Sequence, residues 1–230
     1  MQVYKGRIVE IILGAEGWLG AKIACPPGSV PLAGQYVSAR EQEDLDTPLA
    51  TILYCGGFWE SGFIAAPPVP HTWTPGMRLF LRGPLGKGFQ LPAQARRIGL
   101  AALGGSVSRL LPLGLSAIES GHAVALFTGA ALPQLPSALE AYPLAALADA
   151  LPWADYLAVD TPLEKLNDLR AVLGLEPPEP LPCDGQMLIV TPMPCASIAE
   201  CGACAVLGKR RTWLLACQDG PVFDFKELEW

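Results

Sequence analysis

Four cysteines, Cys195, Cys201, Cys204 and Cys217, follow the pattern C-x5-C-x2-C-x12-C, whereas Cys25, Cys55 and Cys183 are scattered. Seven cysteines is an odd number, and the crowding of four into one segment suits a metal site in a reducing compartment better than a disulfide framework. A [2Fe-2S] cluster takes four thiolates, commonly three from one wrapped loop and the fourth from a distant strand. The residues between the cysteines, Ala196, Ser197, Ala199, Gly202, Ala203 and Ala205, are small, which lets backbone N–H groups approach an anionic cluster. Lys209, Arg210 and Arg211 fall in the excursion before Cys217. They are expected at the tip of a hairpin, offsetting cluster charge or facing a partner, with Trp213 shielding the cluster from water. Structural zinc is the other reading of four cysteines, although a zinc ribbon uses two C-x2-C knuckles and one is present here. Free thiols are a third reading, and the long gap before Cys217 disfavours [4Fe-4S].

Other chemistry is sparse. His71 and His122 have no carboxylate or cysteine at a spacing that suggests a triad or metal ligand, and both read as turn or surface residues. Glu41, Glu43, Asp44 and Asp46 read as a solvated acidic loop. The formal net charge of -6, with only 16 Lys plus Arg in 230 residues, argues against a nucleic-acid partner, because phosphate binding needs clustered positive charge. The charged N-terminal run and the lack of a long apolar stretch lead to the expectation of a cytoplasmic chain with no membrane span. Cys25, Cys55 and Cys183 read as packing residues.

The elements that must carry the cysteines change in texture along the chain. Short β segments are predicted at Val3 to Leu13, Ala21 to Ala24, Gln35 to Ala39, Ala50 to Tyr54, Gly62 to Ala65 and Arg78 to Arg82, separated by Pro and Gly clusters, which suggests an antiparallel barrel or sandwich. From Arg97 the pattern is strand, Gly104-Gly105 turn, helix to Ser120 and strand from Ala123 to Thr128, a parallel unit. A strand at Tyr156 to Val159 precedes a predicted helix with Thr161 as N-cap, Pro162 first, Glu164 completing a capping box and Gly174 at the stop. Glu176 to Pro182 reads as a linker, and Met187 to Val190 as a strand leading to Cys195. The fold class is therefore α+β multidomain: an antiparallel β-barrel over 1–92, a small α/β layer over 93–182 and a cluster domain over 183–230.

Three runs carry a likeness to a known family: Gly34-Gln35-Tyr36-Val37, Gly83-Pro84-Leu85-Gly86-Lys87-Gly88-Phe89, and the cysteine loop closing with Cys217-Gln218-Asp219-Gly220-Pro221-Val222-Phe223. From about Tyr4 to Leu228 the sequence resembles the electron transfer subunit of dihydroorotate dehydrogenase, in the ferredoxin reductase-like superfamily. The resemblance implies a flavin barrel, a nicotinamide-binding layer and a [2Fe-2S] domain that passes electrons to and from a flavoprotein catalytic subunit in a hetero-oligomer, within pyrimidine biosynthesis.

The nucleotide motifs depart from that pattern. The FAD signature, resembling Arg-Pro-x-Ser, is matched by Thr47, Pro48, Leu49 and Ala50, without the Arg that would pair with the pyrophosphate or the Ser that would bond the flavin. A Gly-Thr pair expected to cap the pyrophosphate has no counterpart in Pro67 to Gly76. The Gly-Gly-Gly-Ile-Gly turn is replaced by Leu103-Gly104-Gly105-Ser106-Val107-Ser108, leaving Gly104 and Gly105. Losing an Arg contact and several hydrogen bonds costs on the order of several kcal/mol, so FAD is expected to bind weakly or not at all, and NAD not to bind. A Cys-Gly-Pro-x-x-Met turn and helix before the cluster loop are also missing, and five residues separate Cys195 from Cys201 where four is usual. The reading is an iron–sulfur electron transfer subunit serving a flavoprotein. The alternative is a degenerate, non-enzymatic relative whose structural metal site serves to bind or regulate a partner.

Overall fold

The computed structural model describes residues 2–43 and 49–230. Six strands form first: β1 (Val3–Leu13), β2 (Leu19–Ala24), β3 (Tyr36–Glu41), β4 (Thr51–Trp59), β5 (Gly62–Ala65) and β6 (Arg78–Leu85). They close into an antiparallel barrel in the order β1-β2-β5-β4-β3-β6, which leaves no free sheet edge. Successive strand residues point to opposite faces, and the inward set, including Ile8, Ile23, Leu53, Phe63, Leu79 and Leu81, is fully buried. Glu41, expected in a solvated loop, instead accepts a hydrogen bond from the Trp73 indole N–H at 2.9 Å. Asp44 and Asp46 lie outside the described residues.

The second body is a six-stranded sheet ordered β14-β11-β10-β7-β8-β9. It comprises β7 (Arg97–Ala102), β8 (Ala123–Thr128), β9 (Glu140–Pro143), β10 (Tyr156–Pro162), β11 (Asp184–Val190) and β14 (Val222–Asp224). All neighbours are parallel except β14, which runs antiparallel to β11. Strands covered on both faces read as continuous apolar runs, as Ile98 to Ala102 does. Helix α1 (Leu111–Glu119) packs Leu113 and Ala117 against Ile98 and Leu100. The other face carries the short helices α2 (Leu147–Ala150) and α3 (Leu169–Leu173), with Leu147, Leu169 and Leu173 buried. The expected domain boundary at 183 falls at the start of β11, a strand within this sheet.

The helix expected from Thr161 to Gly174 is corrected. Thr161 and Pro162 extend β10 and pair with Ile189 and Val190 of β11, so the Thr161 hydroxyl donates to the Pro162 carbonyl at 3.1 Å instead of capping a helix. A 3-10 segment runs from Leu163 to Asp168 before α3 begins. The ladder with β11 holds these residues extended, and local capping preference yields to it. Gly174 does end the helix, in the left-handed conformation at φ 66°. Cys55 is fully buried, and Cys25 and Cys183 are partly so. No helix among the described residues is long and apolar enough to cross a membrane.

Candidate metal centre

The cysteine segment starts where β11 ends and folds as a loop followed by a hairpin of β12 (Ala205–Gly208) and β13 (Thr212–Leu215). Cys204 precedes the outgoing strand and Cys217 follows the return strand, so the hairpin register brings the two together at its open end. Their Sγ atoms are 3.3 Å apart. The Ala216 N–H donates to the Cys204 carbonyl at 3.0 Å, and the Leu215 N–H donates to the Asp219 carboxylate at 2.7 Å. The loop brings Cys195 and Cys201 to a second Sγ–Sγ approach of 3.4 Å.

Two pairs are what a binuclear cluster requires, with two thiolates on each iron. Two sulfurs on one tetrahedral ion at about 2.3 Å stand roughly 3.8 Å apart, within a few tenths of an ångström of both pairs. A single zinc ion would instead gather all four. Among the described residues no three His, Cys, Asp or Glu side chains converge on one ion position. The paired donors are of a kind that fits [2Fe-2S], which Cys195 and Cys201 would hold on one side and Cys204 and Cys217 on the other.

The loop backbone is bent to the task. Ala196 and Ser197 take positive φ values of 45° and 67°, a costly conformation for residues with a Cβ that tends to occur at functional sites. Burial pushes the Cys195 thiol up. Backbone hydrogen bonds at Ala199, Ser197 and Cys201, together with the Cys201 thiol, outweigh that and bring it down to about 7, nearer to the thiolate a metal needs. Cys217 goes the other way, pushed up to about 12 by burial and by the adjoining Cys204; a bound cation would bring it down.

The two pairs face different surroundings. Cys204 and Cys217 are 1% and 2% exposed, whereas Cys201 is open to solvent. Behind the inner pair Tyr36 of β3 donates its hydroxyl to the Cys217 carbonyl at 2.9 Å. The three sequence runs that carried the family likeness meet here. The Lys87 N–H donates to the Gly220 carbonyl at 2.6 Å, and the Gln35 side-chain amide to the Gly86 carbonyl at 3.2 Å. Gly86, at φ 73°, packs so closely that a Cβ there would lie 2.5 Å from Pro221. These glycines are there for close approach, and they dock the cysteine segment on the barrel. Outside the outer pair, a pocket of about 440 Å³ beside Cys195 is lined by Val3, Arg40, Ala50, Phe80 and Ile198, among others.

Several expected site residues lie elsewhere. Lys209 to Arg211 do form the hairpin tip, but four strand residues separate tip from open end, about 13 Å at strand rise. The tip thus lies at the far end of the hairpin from Cys204 and Cys217. Trp213 is 69% exposed, paired across the hairpin with Leu207, and does not shield Cys217. Thr47 and Pro48 lie outside the described residues; Leu49 is exposed, and Ala50 lies on the wall of the pocket beside Cys195. Gly104 and Gly105 sit at the carboxyl end of β7, on the turn toward α1. Tyr36 was legible only as part of a weak motif; its tie to Cys217 spans 181 residues and left no local signal.

Barrel and parallel sheet form a ferredoxin reductase-like fold, and the paired thiols are a donor set of the kind an iron–sulfur cluster takes. Residues 193–229 match the family model for the iron–sulfur cluster binding domain of dihydroorotate dehydrogenase B. No curated protein sequence matches the chain. Among solved structures, a chain of the NADH-dependent reduced ferredoxin-NADP oxidoreductase, studied for flavin-based electron bifurcation, superposes with a TM-score of 0.74 at 19% identity, covering 98% of this chain and 90% of that one. The ferredoxin reductase of carbazole 1,9a-dioxygenase gives 0.58 at 17%, covering 76% and 67%. The ferredoxin-NADP+ reductase of Plasmodium falciparum gives 0.52 at 11%, covering 74% and 89%. These likenesses establish the fold.

Proposed function

We propose that this chain relays single electrons to or from a flavoprotein catalytic subunit of the dihydroorotate dehydrogenase kind, within a hetero-oligomer, through a [2Fe-2S] cluster on Cys195, Cys201, Cys204 and Cys217. The observation that carries the reading is the two-by-two thiol arrangement with one pair open and the other sealed. When bound, the cluster supplies a one-electron couple. The chain's own residues do the rest: Cys204 and Cys217 anchor the site on the barrel through Tyr36, the Ala196–Ser197 bend directs backbone donors at sulfur, and Cys201 presents an accessible edge. Ile198 and Val3, 73% and 58% exposed, flank that edge and give a partner apolar surface close to the sulfurs.

Protein purified without oxygen is expected to be brown, to bleach with dithionite, and to contain about two iron and two sulfide per chain. Mixed with a flavoprotein dihydroorotate dehydrogenase catalytic subunit, it is expected to co-elute and to be reduced when dihydroorotate is added. A colourless protein holding one zinc would overturn the cluster assignment. A brown protein that neither co-elutes nor is reduced would overturn the partner alone.

A further inference from the structure

In an open parallel sheet, ligands bind outside the carboxyl ends of the strands where the strand order reverses. Here the reversal lies between β7 and β10, and the turn carrying Gly104 and Gly105 leaves β7 at that point. That crevice is filled by the chain itself. Asp160, the residue of β10 paired with Ala102, is fully buried and accepts two hydrogen bonds from the Arg109 guanidinium, at 2.8 and 3.2 Å. Arg109, 5% exposed, reaches across to the barrel side, donates to the Pro67 carbonyl at 3.3 Å, and lies over the Tyr54 ring at 5.9 Å. From the β1–β2 hairpin, Trp18, 43% exposed, lies beside the exposed Gly105, where a Cβ would stand 2.7 Å from the indole. Glu16, from the same hairpin, has a buried carboxylate oxygen without a hydrogen-bond partner and stabilises the Arg109 charge.

We infer that this crevice is a closed clasp between barrel and sheet, and that the chain holds no dinucleotide there. A pyrophosphate needs open glycine backbone and net positive charge. The crevice offers a glycine crowded on one side by tryptophan and one guanidinium set against two carboxylates. Arg109 spends its donors on Asp160 and Pro67, leaving the site unsuited to an anion. The relay, which rests on the proposed function, therefore works without two-electron chemistry in this chain: an electron given up by the flavoprotein enters at the Cys195 and Cys201 edge and passes from the cluster to an external one-electron acceptor.

The cluster-loaded full chain is incubated with FAD and, separately, with NADH, then desalted, with iron and sulfide measured on the same sample. The expected result is no retained flavin and no NADH-dependent bleaching of the visible absorbance. One flavin held per chain, or bleaching by NADH, overturns the inference. A second measurement tests the clasp directly. Amide hydrogen exchange at Gly105 to Val107 is expected to rise at least about tenfold in the Glu16→Gln/Trp18→Ala variant, with the barrel strands unchanged; equal protection in variant and parent overturns it. Absence of iron and sulfide would sink the relay while leaving the exchange result to decide the clasp.

Discussion

The cysteine segment and the β7–β10 crevice are two places where a chain of this fold can hold a cofactor, and they are built in opposite ways. At the cysteines the backbone bends into a costly conformation so that four sulfurs stand in pairs, one pair at the surface. At the crevice the two glycines of a phosphate turn persist, but a tryptophan, an arginine and an aspartate occupy the space in front of them. A scaffold can keep the shape of a site while the side chains around it withdraw the function, so site chemistry has to be read residue by residue.

Breaking the first half of that contrast has the largest expected effect. Cys201→Ser removes an accessible ligand, and bound iron is expected to fall at least about tenfold with the far-ultraviolet circular dichroism unchanged, because an exposed serine costs the fold little. Next is the crevice. Arg109→Met leaves Asp160 buried without its cation and is expected to cost about 3–5 kcal/mol in denaturant unfolding. Arg109→Met/Asp160→Leu is expected to recover most of that loss, whereas a double variant as unstable as the single one would show that the pair is not a closed unit. Third, Tyr36→Phe strips the donor from the buried Cys217 carbonyl and is expected to cost about 1–3 kcal/mol, lowering cluster retention without changing the crevice.

The smallest effect sharpens the contrast from outside both sites. Asp155 accepts from the Arg97 side chain and from the Arg96 and Arg97 N–H groups. These hold its carboxyl down from 3.8 to about 2, the Arg97 contact foremost. The folded value lies below the unfolded one, so the stabilisation is present above about pH 4 and is lost as pH falls toward 2. Asp155→Asn is expected to unfold slightly more readily than the parent at pH 7, with the difference fading over that acid window in urea titrations. Iron content at pH 7 is expected not to move.

Much of this was legible in the residues. The strands from Val3 to Leu13 and from Gly62 to Ala65 were bounded correctly, because alternation and flanking turn residues act locally. The hairpin tip at Lys209 to Arg211 was visible for the same reason. The Thr161 cap failed because a ladder partner at Ile189, distant in sequence, outweighed a local signal. The basic run at Lys209 was placed on the right turn, but its distance from the sulfurs follows from strand length, which no local signal gives. The clasp had a faint trace: Asp160 ends an otherwise apolar run, and Arg109 interrupts another. Each alone reads as a surface charge, and only the fold shows them as a buried pair.

The docking of the cysteine segment ties the two ends of the chain together. Tyr36 and Gly86 hold a stretch that lies more than 100 residues further along, a long loop closure for a domain of this size. The seat of the last cysteine is thus made by the barrel, and whatever delivers iron and sulfide to the folded chain would meet a surface with one exposed thiol as its point of entry.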